Sequence, residues 1–284
     1  MAEAWPAPAK VNLFLHVIGR RPDGFHELQT VFQFLDLADR LRFRLRHDGA
    51  ILRRSELPGV ASEADLVVRA ARALQGYTAC PRGVEIDVRK ALPLGGGLGG
   101  GSSDAATTLV ALNELWGLHL PAHTLMQIGL RLGADVPVFI NGLAAWAEGV
   151  GERLTALALD EPWYAVVLPD CTVATGAVFS DPDLTRAGAP IKIRDFLRGE
   201  RRNDCEPVVR TRYPQVDAAL TWLGARGEAR LTGTGACVFA RYPSAAAARA
   251  ALGGLPQAWR GYVARGLNRS PLLERLARAR GSGA

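Results

Sequence analysis

Residues Gly95 to Gly101 read GGGLGGG, and Ser102, Ser103 and Asp104 lead from them into an alanine-rich stretch with helical spacing. Six glycines in seven positions remove the side chains, so main-chain N–H groups are free to close around an anion. A helix beginning there adds a first turn of unpaired N–H groups and the positive end of its dipole. That combination suits the phosphates of a nucleotide. Gly95, Gly97 and Gly100 also satisfy G-x-G-x-x-G. A dinucleotide fold, however, wants a strand running directly into the glycines and an acid about 20 residues further on. Here Ala91–Leu94 intervenes, and Glu114 falls inside the helix. A Walker A loop fails because Ser102 stands where its lysine is needed, and no lysine occurs between Lys90 and Lys192. A flexible linker does not belong between a strand and a periodic helix. A nucleotide-phosphate loop of another design is the favoured reading.

Of 34 cationic residues only Lys10, Lys90 and Lys192 are lysines. Lysine offers a compact point charge where arginine offers a planar fork. Lys10 stands between Pro8 and the apolar run Val11–Leu15, where a phosphate-facing cation and a snorkelling strand-edge lysine are equally open readings. Asp135 follows a Leu132-Gly133 helix stop and precedes Val136-Pro137 in an otherwise apolar stretch. A carboxylate among apolar neighbours needs a partner, and Lys10 is the natural one. Phosphoryl transfer asks for phosphates held in place and a carboxylate that receives the attacking hydroxyl's proton. Asp135 suits that role, or that of cap to a helix starting at Val136, and the two are compatible.

The elements that must position these residues are mixed. Strands are expected at Val11–Ile18, Leu28–Asp36, Leu41–Leu45 and Val84–Val88, and a helix at Ser62–Gln75 with Ser62 as its cap. A helix from about Asp104 to Trp116 follows the glycines, and Pro121 opens another as its first residue. Beyond a hinge at Leu159–Pro162, strands at Tyr164–Leu168, Cys237–Ala240 and Tyr262–Ala264 alternate irregularly with helices at Val216–Leu223 and Ser244–Leu252. That pattern is α+β, in two halves, 1–158 and 159–284.

Composition closes off several classes. The chain has 284 residues, 48% hydrophobic and 22% charged, which excludes disorder and fibrous repeats. The longest stretch without Asp, Glu, Lys or Arg, Leu115–Leu130, is interrupted by Pro121 and too short for the roughly 20 apolar residues of a membrane span. The N-terminus lacks the pattern of a secretory signal. Net charge is +6, and from Arg265 onward five arginines face one glutamate, so the excess reads as a solvated basic helix and not as a nucleic-acid face. Cys80, Cys171, Cys205 and Cys237 are widely spaced, which points to a reduced, cytoplasmic protein without a zinc or disulfide framework.

PAKVNLFL (Pro8–Leu15), PLGGGLGGGSS (Pro93–Ser103) and LTGTGACVFA (Leu231–Ala240) resemble the three signature motifs of the GHMP small-molecule kinases. DGFHELQTVFQFLDL (Asp23–Leu37), LGADVPVF, AEGVGE and NDCE narrow the resemblance to the branch acting on a cytidine diphosphate-linked methylerythritol, and it spans almost the whole chain. The resemblance implies a two-domain GHMP kinase fold, with a ribosomal protein S5 domain 2-like N-terminal domain and a ferredoxin-like C-terminal domain. It also implies ATP as phosphate donor, accompanying Mg²⁺ without a dedicated carboxylate ligand, and a small-molecule acceptor. No nucleic acid or membrane partner follows from it.

Carried over by position, the resemblance implies Asp135 as general base and Lys10 as the group that holds and activates the same hydroxyl. Gly95, Gly96, Gly97, Leu98, Gly99, Gly100, Gly101, Ser102, Ser103 and Asp104 would wrap the ATP phosphates, with Leu66, Lys90 and Leu94 bordering the adenine. Asn12 would meet the polyol, with Thr175 nearby, and His26 would bond the cytosine edge. Phe25 and Phe179 would sandwich the base, Phe32 would line the pocket, and Gly233 and Gly235 would close the far wall. Outside the family, His26 reads as an ordinary strand histidine, Phe179 as core and both glycines as turn residues. Two positions depart from the pattern. Phe25 replaces a common tyrosine and keeps only its stacking face, and Asp65 replaces a common asparagine, turning a donor near the adenosine into an acceptor. Another GHMP kinase, for homoserine or mevalonate, and a nucleotide-binding regulator without catalysis are the alternatives.

Overall fold

A computed structural model describes residues 3–55 and 60–281. The first half runs β1 (Trp5–Arg20), β2 (His26–Arg46), β3 (Ile51–Arg53), α1 (Leu66–Thr78), β4 (Gly83–Arg89), α2 (Gly100–Leu115), α3 (Ala122–Leu130), α4 (Val136–Asn141), β5 (Ala145–Gly149) and β6 (Arg153–Ala156). The second runs β7 (Trp163–Leu168), α5 (Thr175–Ser180), α6 (Ile193–Leu197), α7 (Glu206–Arg212), α8 (Pro214–Gly224), β8 (Arg230–Leu231), β9 (Val238–Tyr242), α9 (Ala245–Ala251), β10 (Arg260–Leu267) and α10 (Pro271–Gly281).

The first strands are much longer than expected. β1 and β2 pair antiparallel along nearly their full length, and β2 passes without a break through Leu37–Arg40, which the expected strands Leu28–Asp36 and Leu41–Leu45 leave out. Asp39 is the reason. Its buried carboxylate accepts from the main-chain N–H groups of Ala91 and Leu92, at 2.5 and 2.8 Å, and pairs with Lys90, so a charged residue sits in a strand without an unmet group. Register shifts fall between Pro8 and Lys10, between Asn12 and Phe14, and between Val17 and Gly19. Such bulges re-aim side chains, and two of them bracket Lys10 and Asn12, which share one face of β1.

Two helix starts also differ. Asp65, not Ser62, caps α1: its Oδ1 accepts from Val67 N at 3.0 Å, and Ser62 lies in a short 3₁₀ turn before it. α2 begins at Gly100, four residues ahead of the expected Asp104, because Gly99 takes a left-handed conformation that only glycine adopts readily. Pro121 is the cap of α3 instead of its first residue.

The sheet runs β3-β4-β2-β10-β7-β9-β8, with β1 and β5 also paired to β2. Its seam is the contact of β10 with β2, where Gly266 and Leu267 face Leu35 and Phe34. α1, α2 and α4 cover the first half of the sheet around Leu41, Leu74, Ile86, Leu109 and Phe139. α7, α8 and α9 pack a second core around Val167, Val209, Leu220 and Val238. α10 crosses back and places Leu272 and Leu276 on the first core, so the expected 159–284 segment contributes its last helix to the first half's packing. The tail arginines take part in this return. Arg275 lies over the Trp5 ring at 4.5 Å and pairs with Glu3, and Arg280 pairs with Glu114 at 2.9 Å. No helix among the described residues is long and apolar enough to cross a membrane.

Leu272 is fully buried. Leu272→Ala is expected to cost about 2–5 kcal/mol in urea unfolding, the usual range for a buried leucine. An unchanged midpoint contradicts the docking of α10.

Candidate active site

The glycine loop is fastened by its carbonyls. Gly95 O and Gly96 O accept from Ala236 N and Cys237 N at 3.4 and 3.1 Å, Gly97 O accepts from Lys10 Nζ at 3.0 Å and Thr232 Oγ1 at 3.3 Å, and Leu98 O accepts from Lys10 N at 3.0 Å. Gly99 O accepts the first helical bond, from Ser103 N at 2.8 Å. The N–H groups from Gly95 to Ser102 donate to no described residue. One edge of the loop is thus bound to protein, and the other presents consecutive free donors at the start of a 16-residue helix.

The glycines are needed mainly on the bound side. A Cβ on Gly97 would stand 2.4 Å from Thr232 O, one on Gly96 2.8 Å from Cys237 Sγ, and one on Gly99 2.7 Å from Phe139 Cζ. Sequence reasoning ascribes the missing side chains to ligand approach. The structure shows a backbone wedged between β1, α4 and the Leu231–Cys237 turn.

Lys10 is buried, and its ammonium meets three acceptors: Asn12 Oδ1 at 2.7 Å, Gly97 O at 3.0 Å and Asp135 Oδ2 at 3.3 Å. It also lies 5.5 Å from the Phe32 ring centroid. The strand-edge snorkelling alternative therefore gives way to an inward lysine. Asp135 stands at the start of α4, but its side chain caps no N–H there. Its carboxylate, about one-third exposed, is left facing the ammonium and the cleft. Behind Lys10 a polar chain sets its position, for Asn12 Nδ2 donates to Thr30 Oγ1 at 2.9 Å and Thr30 Oγ1 donates to Phe14 O at 2.5 Å. Asn203 ties the far wall, donating to Leu231 O and Gly233 O at 3.0 and 2.9 Å, while the next residue, Asp204, accepts from Val17 N on β1 at 2.8 Å.

These groups open on a cleft of about 460 Å³ between the halves. From the first half it is lined by Lys10, Asn12, Phe32, Leu66, Leu94, Gly95–Gly97, Gly99–Ser102 and Asp135, and from the second by Thr175, Phe179 and Gly233. Several other expected site residues lie elsewhere. Leu98 is buried in a core with Ala9 and Val11 and anchors the loop from beneath. Ser103 is fully buried, and Gly235 backs onto Leu231, Val173 and Val209. Phe25 is 57% exposed and makes no ring contact with Phe179. His26 instead stacks on Phe179, with centroids 5.1 Å apart and planes at 27°.

Lys90 and Asp104 form a buried cluster with Asp39 under the loop. Lys90 Nζ contacts Asp104 Oδ2 at 2.7 Å and also Asp39. Burial pulls the lysine pKa down, but the two carboxylates outweigh it and hold the ammonium above its ordinary value. Burial, with Asp39 adding to it, pushes the Asp104 carboxyl well above the usual range despite Lys90. Both residues therefore brace the loop and do not line the cleft. At Asp65 the loss of an amide is matched locally, because Arg53 Nη1 pairs with its Oδ2 at 2.6 Å while Oδ1 caps α1. Thr30, Asn203 and Thr234, whose hydroxyl lies 3.0 Å from that of Thr175, fall inside the quoted motifs, but the motifs alone assign them no role at the site. Only their placement behind or beside the cleft reveals them.

The GHMP kinases N terminal domain family matches residues 65–143, and the GHMP kinases C terminal family matches residues 183–261. A 4-diphosphocytidyl-2-C-methyl-D-erythritol kinase of Halorhodospira halophila is 57% identical over 98% of both chains, and one of Nitrosococcus oceani is 59% identical over 96% of this chain and 97% of that one. The chain belongs to the 4-diphosphocytidyl-2-C-methyl-D-erythritol kinase family. A crystal structure of 4-(cytidine 5'-diphospho)-2C-methyl-D-erythritol kinase is 34% identical and superposes with a TM-score of 0.79, covering 93% of this chain and 98% of that chain. A mevalonate kinase at 14% identity and TM-score 0.66, over 94% of this chain and all of that one, shares the GHMP kinase fold. As a member of this kinase family the chain uses ATP as phosphate donor.

Gly97 has φ of +73° and the closest protein contact of the loop glycines, whereas a Cβ on Gly100 would meet nothing nearer than 3.4 Å. Gly97→Ala is expected to destabilise the free protein by more than about 1 kcal/mol in thermal unfolding, and Gly100→Ala by less. Equal effects contradict the wedged loop.

Proposed function

We propose that this cleft transfers the γ-phosphoryl group of ATP to the 2-hydroxyl of 4-diphosphocytidyl-2-C-methyl-D-erythritol, giving the 2-phosphate and ADP, in the non-mevalonate route to isoprenoid precursors. The observation that carries the reading is the run of free N–H donors from Gly95 to Ser102 ending beside the Lys10–Asp135 pair, at 3.3 Å. The amides and the α2 dipole hold the triphosphate. Lys10, fixed by Asn12 and by the loop's own carbonyl, places a positive charge between the terminal phosphate and the acceptor oxygen. Asp135 orients the hydroxyl and takes its proton as the new O–P bond forms and the bond to the β-phosphate oxygen breaks.

Leu66 and Leu94 offer an apolar border to the adenine. On the acceptor side, Asn12 and Thr175 face the polyol, and His26 with Phe179 receives the cytosine, with Phe25 folding over from its exposed position. Mg²⁺, when bound with the triphosphate, would supply charge neutralisation. It usually keeps several waters; of the two serines after the glycines, Ser102, which lines the cleft, would hold it, and not the buried Ser103. A division at about residue 158 and a cytoplasmic location complete the reading, the latter supported by four unpaired cysteines, three of them buried.

Asp135→Asn and Lys10→Ala are each expected to lower turnover about 10²–10⁴-fold, the range for a lost acid–base group, while ATP still binds by calorimetry. ADP release measured with this acceptor, homoserine and mevalonate side by side is expected only with the first. Undiminished turnover in both variants contradicts the assigned roles, and a preference for another alcohol contradicts the substrate.

A further inference from the structure

A second cavity, of about 510 Å³, lies at the seam of the two halves, behind the active cleft. β2 divides them: Phe32 lines the cleft and the next residue, Gln33, lines this cavity, as alternation along a strand requires. Leu13, the extra residue of a β1 bulge, faces it as well. Its floor is a polar pair over a bare position. Tyr164 OH donates to Gln33 Oε1 at 2.6 Å, and a Cβ on Gly266, on the strand between them, would stand 2.9 Å from that oxygen and 3.0 Å from Tyr164 Cε2. One wall is the linker at Leu159 and Asp160, and it is fastened. Gln33 Nε2 donates to Asp160 O at 2.7 Å, and the Asn268 side chain bonds both the N–H and the carbonyl of Leu159, at 3.0 and 2.6 Å.

Three arginines line the same cavity: Arg201, Arg230 on β8 and Arg241 on β9. Register brings two of them together, because Arg230 is opposite Phe239, and Phe239 shares a face with Arg241 two residues on. Two acids are present, and each is taken by one arginine, Glu228 by Arg230 and Asp160 by Arg241 at 2.9 Å. Both acids are exposed. Arg201 pairs with no carboxylate among the described residues. Its Nη1 donates to Phe196 O and Glu200 O, and its guanidinium lies over the Phe196 ring at 4.1 Å. The fork is therefore held in place, while its Nε and Nη2 donate to no described residue. Burial first, then Arg230 and Arg241, holds the Arg201 pKa below its ordinary value, though an arginine remains charged at pH 7. A half-buried cation beside two others, without its own counter-charge, is a place for an anion.

We infer that this cavity binds a small molecule with a phosphate-ester head and an apolar body, at a site separate from the catalytic cleft. Three guanidinium forks offer more donors than the two oxygens of a carboxylate accept, whereas a phosphate monoester has three terminal oxygens and close to two charges. The head meets Arg201, and Glu228 and Asp160 turn out to solvent and release Arg230 and Arg241 to it. The body lies against Leu13, Leu159 and Phe196. The volume falls within the roughly 300–1,000 Å³ usual for small-molecule sites.

The test is calorimetric titration of the full chain with phenyl phosphate, inorganic phosphate and phenol, each with and without a saturating non-hydrolysable ATP analogue. Phenyl phosphate is expected to bind under both conditions, about tenfold more tightly than inorganic phosphate because its ring leaves water. Phenol, without the charge, is expected to show no binding. Arg201→Gln is expected to weaken phenyl phosphate at least about tenfold, as loss of a charged hydrogen-bond donor requires, and to leave affinity for the ATP analogue unchanged. Arg230→Gln, which removes no bond that Arg201 makes to Phe196 or Glu200, is expected to act in the same way and keeps the test decisive where Arg201→Gln does not fold. Unchanged phenyl phosphate affinity in a folded Arg230→Gln protein overturns the inference. Displacement of phenyl phosphate by the ATP analogue places it in the cleft and overturns it too. Equal affinity for the two phosphates means an adventitious ion only, and with absence of binding it counts against the site.

Discussion

Four successive carbonyls, from Gly95 to Leu98, are bonded from the protein side by Ala236, Cys237, Thr232 and Lys10. Each such bond contributes only about 1 kcal/mol net, but together they fix which way every peptide unit in the loop faces. With these acceptors bound to protein, the N–H groups of the same trans peptides, on Gly96 to Gly99, are turned to the opposite side. Lys10 takes part twice, through its main-chain N–H to Leu98 O and its ammonium to Gly97 O. The same residue therefore sets the loop and carries the charge beside Asp135, so the position of the phosphate cradle and that of the reacting acid are linked through one side chain.

Both halves of the chain are needed for this arrangement. The loop belongs to the first half, but two of its carbonyl partners, Ala236 and Cys237, lead into β9, and the Leu231–Cys237 turn is held by Asn203. Asp204 then bonds Val17 on β1, and β10 pairs with β2. Main-chain and side-chain hydrogen bonds thus join the two halves beside the cleft at several points. α10 adds a further tie by returning Leu272 to the first core. A phosphate loop held from both sides keeps its donors aimed before any nucleotide arrives, which is where electrostatic preorganisation has its effect.

Much of this was legible in the residues. The glycine run, the helix after it and the unusual lysine in Pro8–Leu15 marked the loop and its cation without any structural knowledge. Asp135 stood out because a carboxylate among apolar residues needs a partner, and it has one in Lys10. What local pattern did not give was pairing at a distance. The expected strands stop at Asp36 and resume at Leu41, and nothing nearby in sequence shows that Lys90, Ala91 and Leu92 satisfy the Asp39 carboxylate between them. The fit of Gly97 against Thr232 lies 135 residues apart in the chain, so its glycine looked like a ligand requirement. Leu98, Lys90 and Asp104 sit within or beside the motif yet face away from the cleft, since position in a motif says nothing about the direction of a side chain. Asn203 acts through Leu231 and Gly233, about 30 residues further along the chain, and no spacing rule reaches that far.

The central claim is that the outward amides of Gly95–Ser102 grip a triphosphate whose end group lies between Lys10 and Asp135. A crystal structure with a non-hydrolysable ATP analogue tests it most directly. The account predicts phosphate oxygens within hydrogen-bond distance of those amides, with the γ-phosphorus next to the Lys10 ammonium. A triphosphate bound elsewhere, or one whose γ-phosphate points away from Asp135, would contradict it.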